Sequence, residues 1–122
     1  EKLTILLVED NKINQEVINA YLRNLYEVEC ADDGETAISL CQQNGYYKTI
    51  LMDINLGGGI NGIEATQELK KIKGYESIPV IAVTGYTMQQ QKKALFEFGF
   101  SAHLSKPFEK KELVDLINSL LS

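Results

Sequence analysis

The sequence predicts an α/β domain: a five-stranded parallel sheet with five helices distributed over its two faces. Three observations carry that prediction. Short apolar runs alternate with longer segments of helical period along the whole chain. One run, "IPVIAVTG" at 78–85, is continuously apolar, as a strand covered on both faces must be. The 122 residues, 44% of them apolar, suit one core and one domain.

The elements follow in order. "LTILLV" (3–8) reads as the first strand, and "INQEVINAYLRNL" as a helix with Ile13, Val17, Ala20, Tyr21 and Leu25 at helical spacing and Asn11 placed to cap it. "YEVECA" (26–31) alternates at period two, and "DDGETAISLCQQNG" reads as a capped helix stopped by Gly45. "TILMD" is the third strand, "GIEATQELKKIKG" a helix ending at Gly74, and 78–85 the fourth strand. "TMQQQKKALFEFG" returns to helix and "SAHLS" is a short fifth strand. "KKELVDLINSLL" closes the chain as an amphipathic helix burying Leu113, Val114, Ile117, Leu120 and Leu121. Right-handed crossovers are expected between the parallel strands.

Composition narrows the function. Twelve basic residues against 17 acidic give a net charge of −5, which argues against direct nucleic-acid binding or adhesion to anionic membranes. No apolar run approaches the roughly 18 residues of a spanning helix, so no membrane insertion is expected. Cys30 and Cys41 lack metal-ligand spacing; they read as buried, reduced thiols, consistent with a cytoplasmic location.

In a parallel α/β sheet, ligands sit beyond the carboxyl ends of the strands, near the point where strand order reverses. The strand ends here are Glu9-Asp10, Asp53, Thr84-Gly85 and Ser105-Lys106-Pro107. Three carboxylates gathered on one edge repel one another unless a cation neutralises them, and Mg2+ suits a few oxygen ligands completed by water and phosphate oxygens. Asp53 then reads as a nucleophile forming an aspartyl phosphate, with Lys106 neutralising the transferred oxygens and Thr84 donating a hydrogen bond to them. Taken singly, each residue has a plainer role: the acids as helix caps, Thr84 as an ordinary strand residue, Lys106 as an exposed turn residue. The set, in the order acid pair, acid, hydroxyl, lysine, is what points to chemistry.

Through "LLVEDNKINQEV", "ILMDI", "PVIAVTG" and "FGFSAHLSKPF", the chain resembles the receiver domains of two-component response regulators over essentially its whole length. The resemblance implies a flavodoxin-like, doubly wound sheet of order 2-1-3-4-5, switching its interaction surface on phosphorylation. It implies Asp53 as phosphoacceptor, Asp10 as a direct Mg2+ ligand and Glu9 as one acting through water. The backbone carbonyl of Asn55 would be the third protein ligand, Thr84 the switch hydroxyl and Lys106 the phosphate contact. His103 takes the slot of a rotating switch ring, and Lys106-Pro107 is expected to be cis. Implied partners are a histidine kinase or histidine phosphotransfer domain as donor, and a downstream protein or second copy reading the face of the fourth helix, fifth strand and fifth helix. Any enzymatic activity would be limited to self-phosphorylation and autodephosphorylation. "EDNKINQEV" is similar to receivers of hybrid sensor kinases, which implies a larger parent chain.

One stretch departs from the family pattern. A Met-Pro pair usually follows the phosphoacceptor, with a glycine eight residues on; here Leu56-Gly57 replaces the pair and Gly62 comes nine residues on. One residue is inserted, beside Gly57, Gly58 and Gly59, so this loop is expected to be less preorganised and to gain order with ligand. Fixed turns with positive φ are the alternative reading of these glycines.

Rival functions fit less well. A haloacid-dehalogenase-like phosphohydrolase needs a second Asp two residues after its nucleophile, where this chain has Asn55. A nucleotide or flavin site wants glycines or hydroxyls after the first strand, where this chain has "EDNKIN". A degenerate, purely structural receiver would not keep the full residue set.

Overall fold

Alternating side chains along each strand dictate two separate cores. In the computed structural model, which describes residues 2–56, 59–85 and 92–121, the interior strand β1 (Thr4–Val8) sends Leu6 and Val8 to one face and Ile5 and Leu7 to the other. β3 (Tyr47–Asp53) and β4 (Val80–Thr84) do the same. Ile50, Met52, Val80 and Ala82 join the first face, and Leu51, Ile81 and Val83 the second. The stretches Ile5–Val8, Ile50–Met52 and Val80–Val83 are therefore continuously apolar, since neither face meets water there.

The flanking elements are α1 (Lys12–Leu22), β2 (Glu27–Ala31), α2 (Gly34–Gln43), α3 (Gly62–Leu69), α4 (Lys92–Glu97), β5 (Ala102–Ser105) and α5 (Lys110–Leu121). All strand pairs are parallel, in the order β2-β1-β3-β4-β5. Ala37, Cys41, Ala65 and Leu69 of α2 and α3 cover one face of the sheet, and Ile18, Leu22, Leu113 and Ile117 of α1 and α5 cover the other. Among the described residues, the five strands, five helices and strand order agree with the expectation. Because the chain leaves β1 for the edge at β2 and returns to β3 on its other side, a crevice opens beyond the carboxyl ends of β1 and β3.

Several expectations need correction. The buried side of α1 is Gln15, Ile18 and Leu22, whereas Ile13 is 71% exposed and Val17, Ala20 and Leu25 are exposed as well. Two helical stripes compete in this segment, and packing selected the one that places a polar Gln15 inside. Cys41 is buried, but Cys30 is exposed on β2, an edge strand; both thiols are free. In α5, Leu113 and Ile117 are fully buried and Val114, Leu120 and Leu121 half-buried. β3 begins at Tyr47, two residues before the apolar run, with that ring buried. β4 begins only at Val80, since Pro79 lacks an N–H for the ladder. Helix α3 stops at Leu69, and Gly74, at φ +96°, ends the turns that follow it. Residues 87–91 of the expected fourth helix lie outside the described residues.

Local capping fixes where the helices start. Asn11 accepts the Asn14 N–H at 3.0 Å, Asp33 accepts that of Thr36 at 2.7 Å, and Asn61 with Glu64 forms a reciprocal capping box on α3. All three caps follow the carboxyl ends of strands, so the loops carrying the acids are anchored on both sides.

Candidate functional site

The backbone delivers the candidate residues to one place. Glu9, immediately after β1, donates its N–H to the Ala31 carbonyl at 3.0 Å, which pins the acid pair beside the end of β2. Asp53 ends β3 opposite Val83, and the ladder runs one step further through Ile54 N–H to Val83 O at 3.0 Å. Lys106 donates its N–H to the Thr84 carbonyl at 2.7 Å, which sets the lysine next to the end of β4. The Lys106-Pro107 peptide is cis.

Carboxylate oxygens of Glu9, Asp10 and Asp53 all lie within 4.8 Å of one another. Glu9 is 1% exposed and Asp53 5%, whereas Asp10 faces solvent. The Lys106 ammonium lies 2.9 Å from Glu9 Oε1 and 3.5 Å from Asp53 Oδ2. Three carboxylates and one ammonium leave a formal charge of −2 when all are ionised. That deficit, presented by hard oxygen donors only, fits a divalent cation such as Mg2+.

Protonation follows the same geometry. Burial, and then the neighbouring Asp53, raise the Glu9 carboxyl above the usual carboxylate range, with Lys106 and the Asn11 N–H pulling the other way. Burial alone would lower the Lys106 ammonium, but Glu9 and Asp53 outweigh it and hold the lysine above its ordinary value. The lysine is therefore a fixed positive charge at neutral pH.

The remaining candidates surround this cluster. Asn55 donates its N–H to Asp53 Oδ1 at 3.0 Å and is exposed. Thr84 is fully buried at the end of β4, paired in register with Ser105. His103 pairs with Ala82, is half-buried, and lines a shallow cleft with Leu95, Phe96, Phe100 and Ala102. It is thus set back from the acids, on the α4 side.

In the loop after Asp53, Gly57 and Gly58 lie outside the described residues. Gly59 has φ +65°, as the fixed-turn reading of the glycines required. Gly62 is needed for close approach, since a Cβ there would lie 2.2 Å from the Asp53 carbonyl oxygen.

Sequence reasoning missed two residues that contact this region. Gln15, buried in α1, donates to the Glu9 carbonyl; Glu35, at the start of α2, accepts the Ile60 N–H at 2.9 Å. The signal for Gln15 was its place at helical spacing with Ile18 and Leu22; Glu35 carried none. A groove of about 390 Å³ also borders the site, running from Lys106 past Pro107 and Phe108 to Asn14, Val17, Ile18 and Tyr21.

Comparison with known proteins agrees with this arrangement. Over 116 residues the chain is 34% identical to the signal transduction histidine-protein kinase BarA of Escherichia coli K12, covering 94% of this chain and 12% of that protein. It is 32% identical over 119 residues to the osmosensing histidine protein kinase SLN1 of Saccharomyces cerevisiae, covering 93% and 10% respectively. The chain thus spans about a tenth of the length of these relatives. A crystal structure of the receiver domain of a Pseudomonas aeruginosa sensor histidine kinase, with a magnesium ion in its active-site cleft, superposes with TM-score 0.89 at 34% identity over 99% of this chain and 98% of that one. Residues 5–118 match the family model of the response regulator receiver domain, and the chain belongs to that family of two-component signalling modules.

Proposed function

We propose that this receiver accepts a phosphoryl group on Asp53 from a phosphohistidine partner and signals by a change of surface shape. The observation that carries the proposal is the setting of Asp53: a nearly buried carboxylate within 4.8 Å of two further acids and 3.5 Å from a lysine ammonium. An Asp53 oxygen attacks the phosphorus, the P–N bond breaks, and its electron pair leaves with the imidazole, which takes up a proton. Asp10 and Asp53, with the Asn55 carbonyl, would hold Mg2+ directly, and Glu9 would act through water. When bound, the metal ion supplies charge neutralisation for the acids and the phosphoryl oxygens. Lys106 supplies a second positive charge to those oxygens, and Thr84 a hydroxyl donor. Asn55 supports this reading over a phosphohydrolase, since an amide cannot serve as the general acid there.

The exposed Val17, which lines the groove that ends at Lys106, and the exposed Ile13 one turn before it supply an apolar surface for a histidine kinase or phosphotransfer domain to dock beside Asp53. On phosphorylation, Thr84 moves toward the phosphate and His103 turns inward, altering the α4-β5-α5 face. The exposed Phe96 and Phe98 there offer a contact for a downstream protein or a second copy. The small share of each relative that is matched supports a single receiver module of a longer, hybrid-kinase-like chain. The test is intact mass after incubation with acetyl phosphate, with and without Mg2+. Uptake of one phosphoryl group only with the metal supports the proposal; no uptake overturns it.

A further inference from the structure

We propose that Gln15 is a positioning residue for the acid pair, its side-chain amide locking the Glu9–Asp10 peptide against α1 and the end of β2. The inference rests on reading Glu9, Asp10 and Asp53 as a cation site. Gln15 is 8% exposed, and a buried helix position facing a sheet ordinarily takes an apolar residue. Its Nε2 instead lies 2.5 Å from the Glu9 carbonyl oxygen and 2.8 Å from Asp32 Oδ1. Both partners only accept, so the nitrogen side of the amide must face them. Asp32 is itself held by the Lys12 ammonium at 2.8 and 2.9 Å. A connected line of polar contacts therefore runs from Lys12 through Asp32 and Gln15 to the Glu9 carbonyl.

That carbonyl belongs to the same planar peptide as the Asp10 nitrogen. With the Glu9 N–H already bonded to Ala31, the Gln15 bond fixes the second side of Glu9 and so the direction in which Asp10 leaves the strand. The acids would otherwise relieve their repulsion by splaying apart, so holding them in register before a cation arrives falls to this amide. Methionine, equal in length but without N–H groups, would serve a merely space-filling role.

The experiment measures Mg2+ binding by calorimetry to the parent, Gln15→Met and Asp10→Asn, with thermal unfolding of each metal-free protein alongside. Loss of a group that orients a metal's ligands typically costs about 10–100-fold in metal affinity, and that loss is expected for Gln15→Met with cooperative unfolding retained. A Kd indistinguishable from the parent's overturns the proposal. Should Gln15→Met not fold, Asp32→Ala replaces it, since it leaves α1 intact and removes the second anchor of the amide; weaker binding supports the proposal and parent-like binding overturns it. Asp10→Asn separates the two layers. If it loses binding while Gln15→Met does not, only the role of Gln15 falls; if it binds like the parent, the cation site falls and the proposal with it.

Discussion

The Lys106 ammonium is held 2.9 Å from Oε1 of Glu9, a carboxylate all but removed from solvent, across 97 residues of sequence. Such a pair, one member buried, persists only because each neutralises the other, and removing one partner alone leaves an uncompensated buried charge. Lys106→Met should therefore destabilise the metal-free protein, by about 3–5 kcal/mol at the upper limit of a fully buried pair and less here because the lysine is partly exposed. Urea unfolding without metal measures it; an unchanged midpoint would show that the pair is not formed.

Magnesium affinity should separate the two acids. Asp10→Asn removes a direct anionic ligand and should weaken binding strongly, whereas Glu9→Gln should weaken it less if Glu9 acts through water. Tyrosine fluorescence can follow both titrations, since the chain has six tyrosines and no tryptophan. Equal affinity for Asp10→Asn and the parent is the contrary result.

The phase of α1 is open to the same kind of comparison. Leu22→Ala, at a fully buried position, should cost about 2–5 kcal/mol. Ile13→Ser, at an exposed one, should stay within about 0.5 kcal/mol yet slow phosphoryl uptake from a protein donor while leaving uptake from acetyl phosphate unaffected. A larger stability loss for Ile13→Ser than for Leu22→Ala would mean that the helix buries the other stripe.

The sheet was legible because most of its strands are short, apolar and bounded by turn residues, and Glu9, Asp10, Asp53, Thr84 and Lys106 were legible as candidates because each sits at or just beyond a strand end. The buried side of α1 was not legible because Ile13 and Val17 look more like core residues than Gln15 does. Burial of Gln15 depends on acceptors from β1 and β2, which periodicity cannot see. The pairing of Glu9 with Lys106 and the docking of Glu35 on Ile60 were illegible for the same reason: each joins segments far apart in the chain.

Thiol chemistry should divide the cysteines. Burial pushes the Cys41 thiol up to about 12, from an ordinary value near 9, while Cys30 is exposed. In the native protein at pH 8, iodoacetamide should label Cys30 alone, and both after unfolding. A thiol whose folded pKa is raised favours the folded state below its unfolded value, so this contribution is complete below about pH 9 and declines toward pH 12. Cys41→Ala should flatten that alkaline decline; equal labelling of both thiols in the native state would contradict the burial.

The loop after Asp53 should respond to Glu35. Its carboxylate accepts the Ile60 N–H, so Glu35→Ala should speed exchange of that amide, and Glu35→Gln, which keeps an acceptor, should not. A Cβ on Gly59 would lie 2.5 Å from Glu35 Oε2 at a left-handed φ, so Gly59→Ala should cost about 1–2 kcal/mol. Hydrogen exchange across residues 54–62 should slow when Mg2+ and beryllofluoride are added together; strong, equal protection in both states would remove the loop from switching.

The proposed function requires that Asp53 receive the phosphoryl group. Its most direct test is intact mass of the parent and of Asp53→Asn after the same exposure to acetyl phosphate and Mg2+. One added phosphoryl group is expected on the parent and none on the variant, with the variant still folded by circular dichroism. Equal labelling of the two would contradict it and move the phosphoacceptor elsewhere.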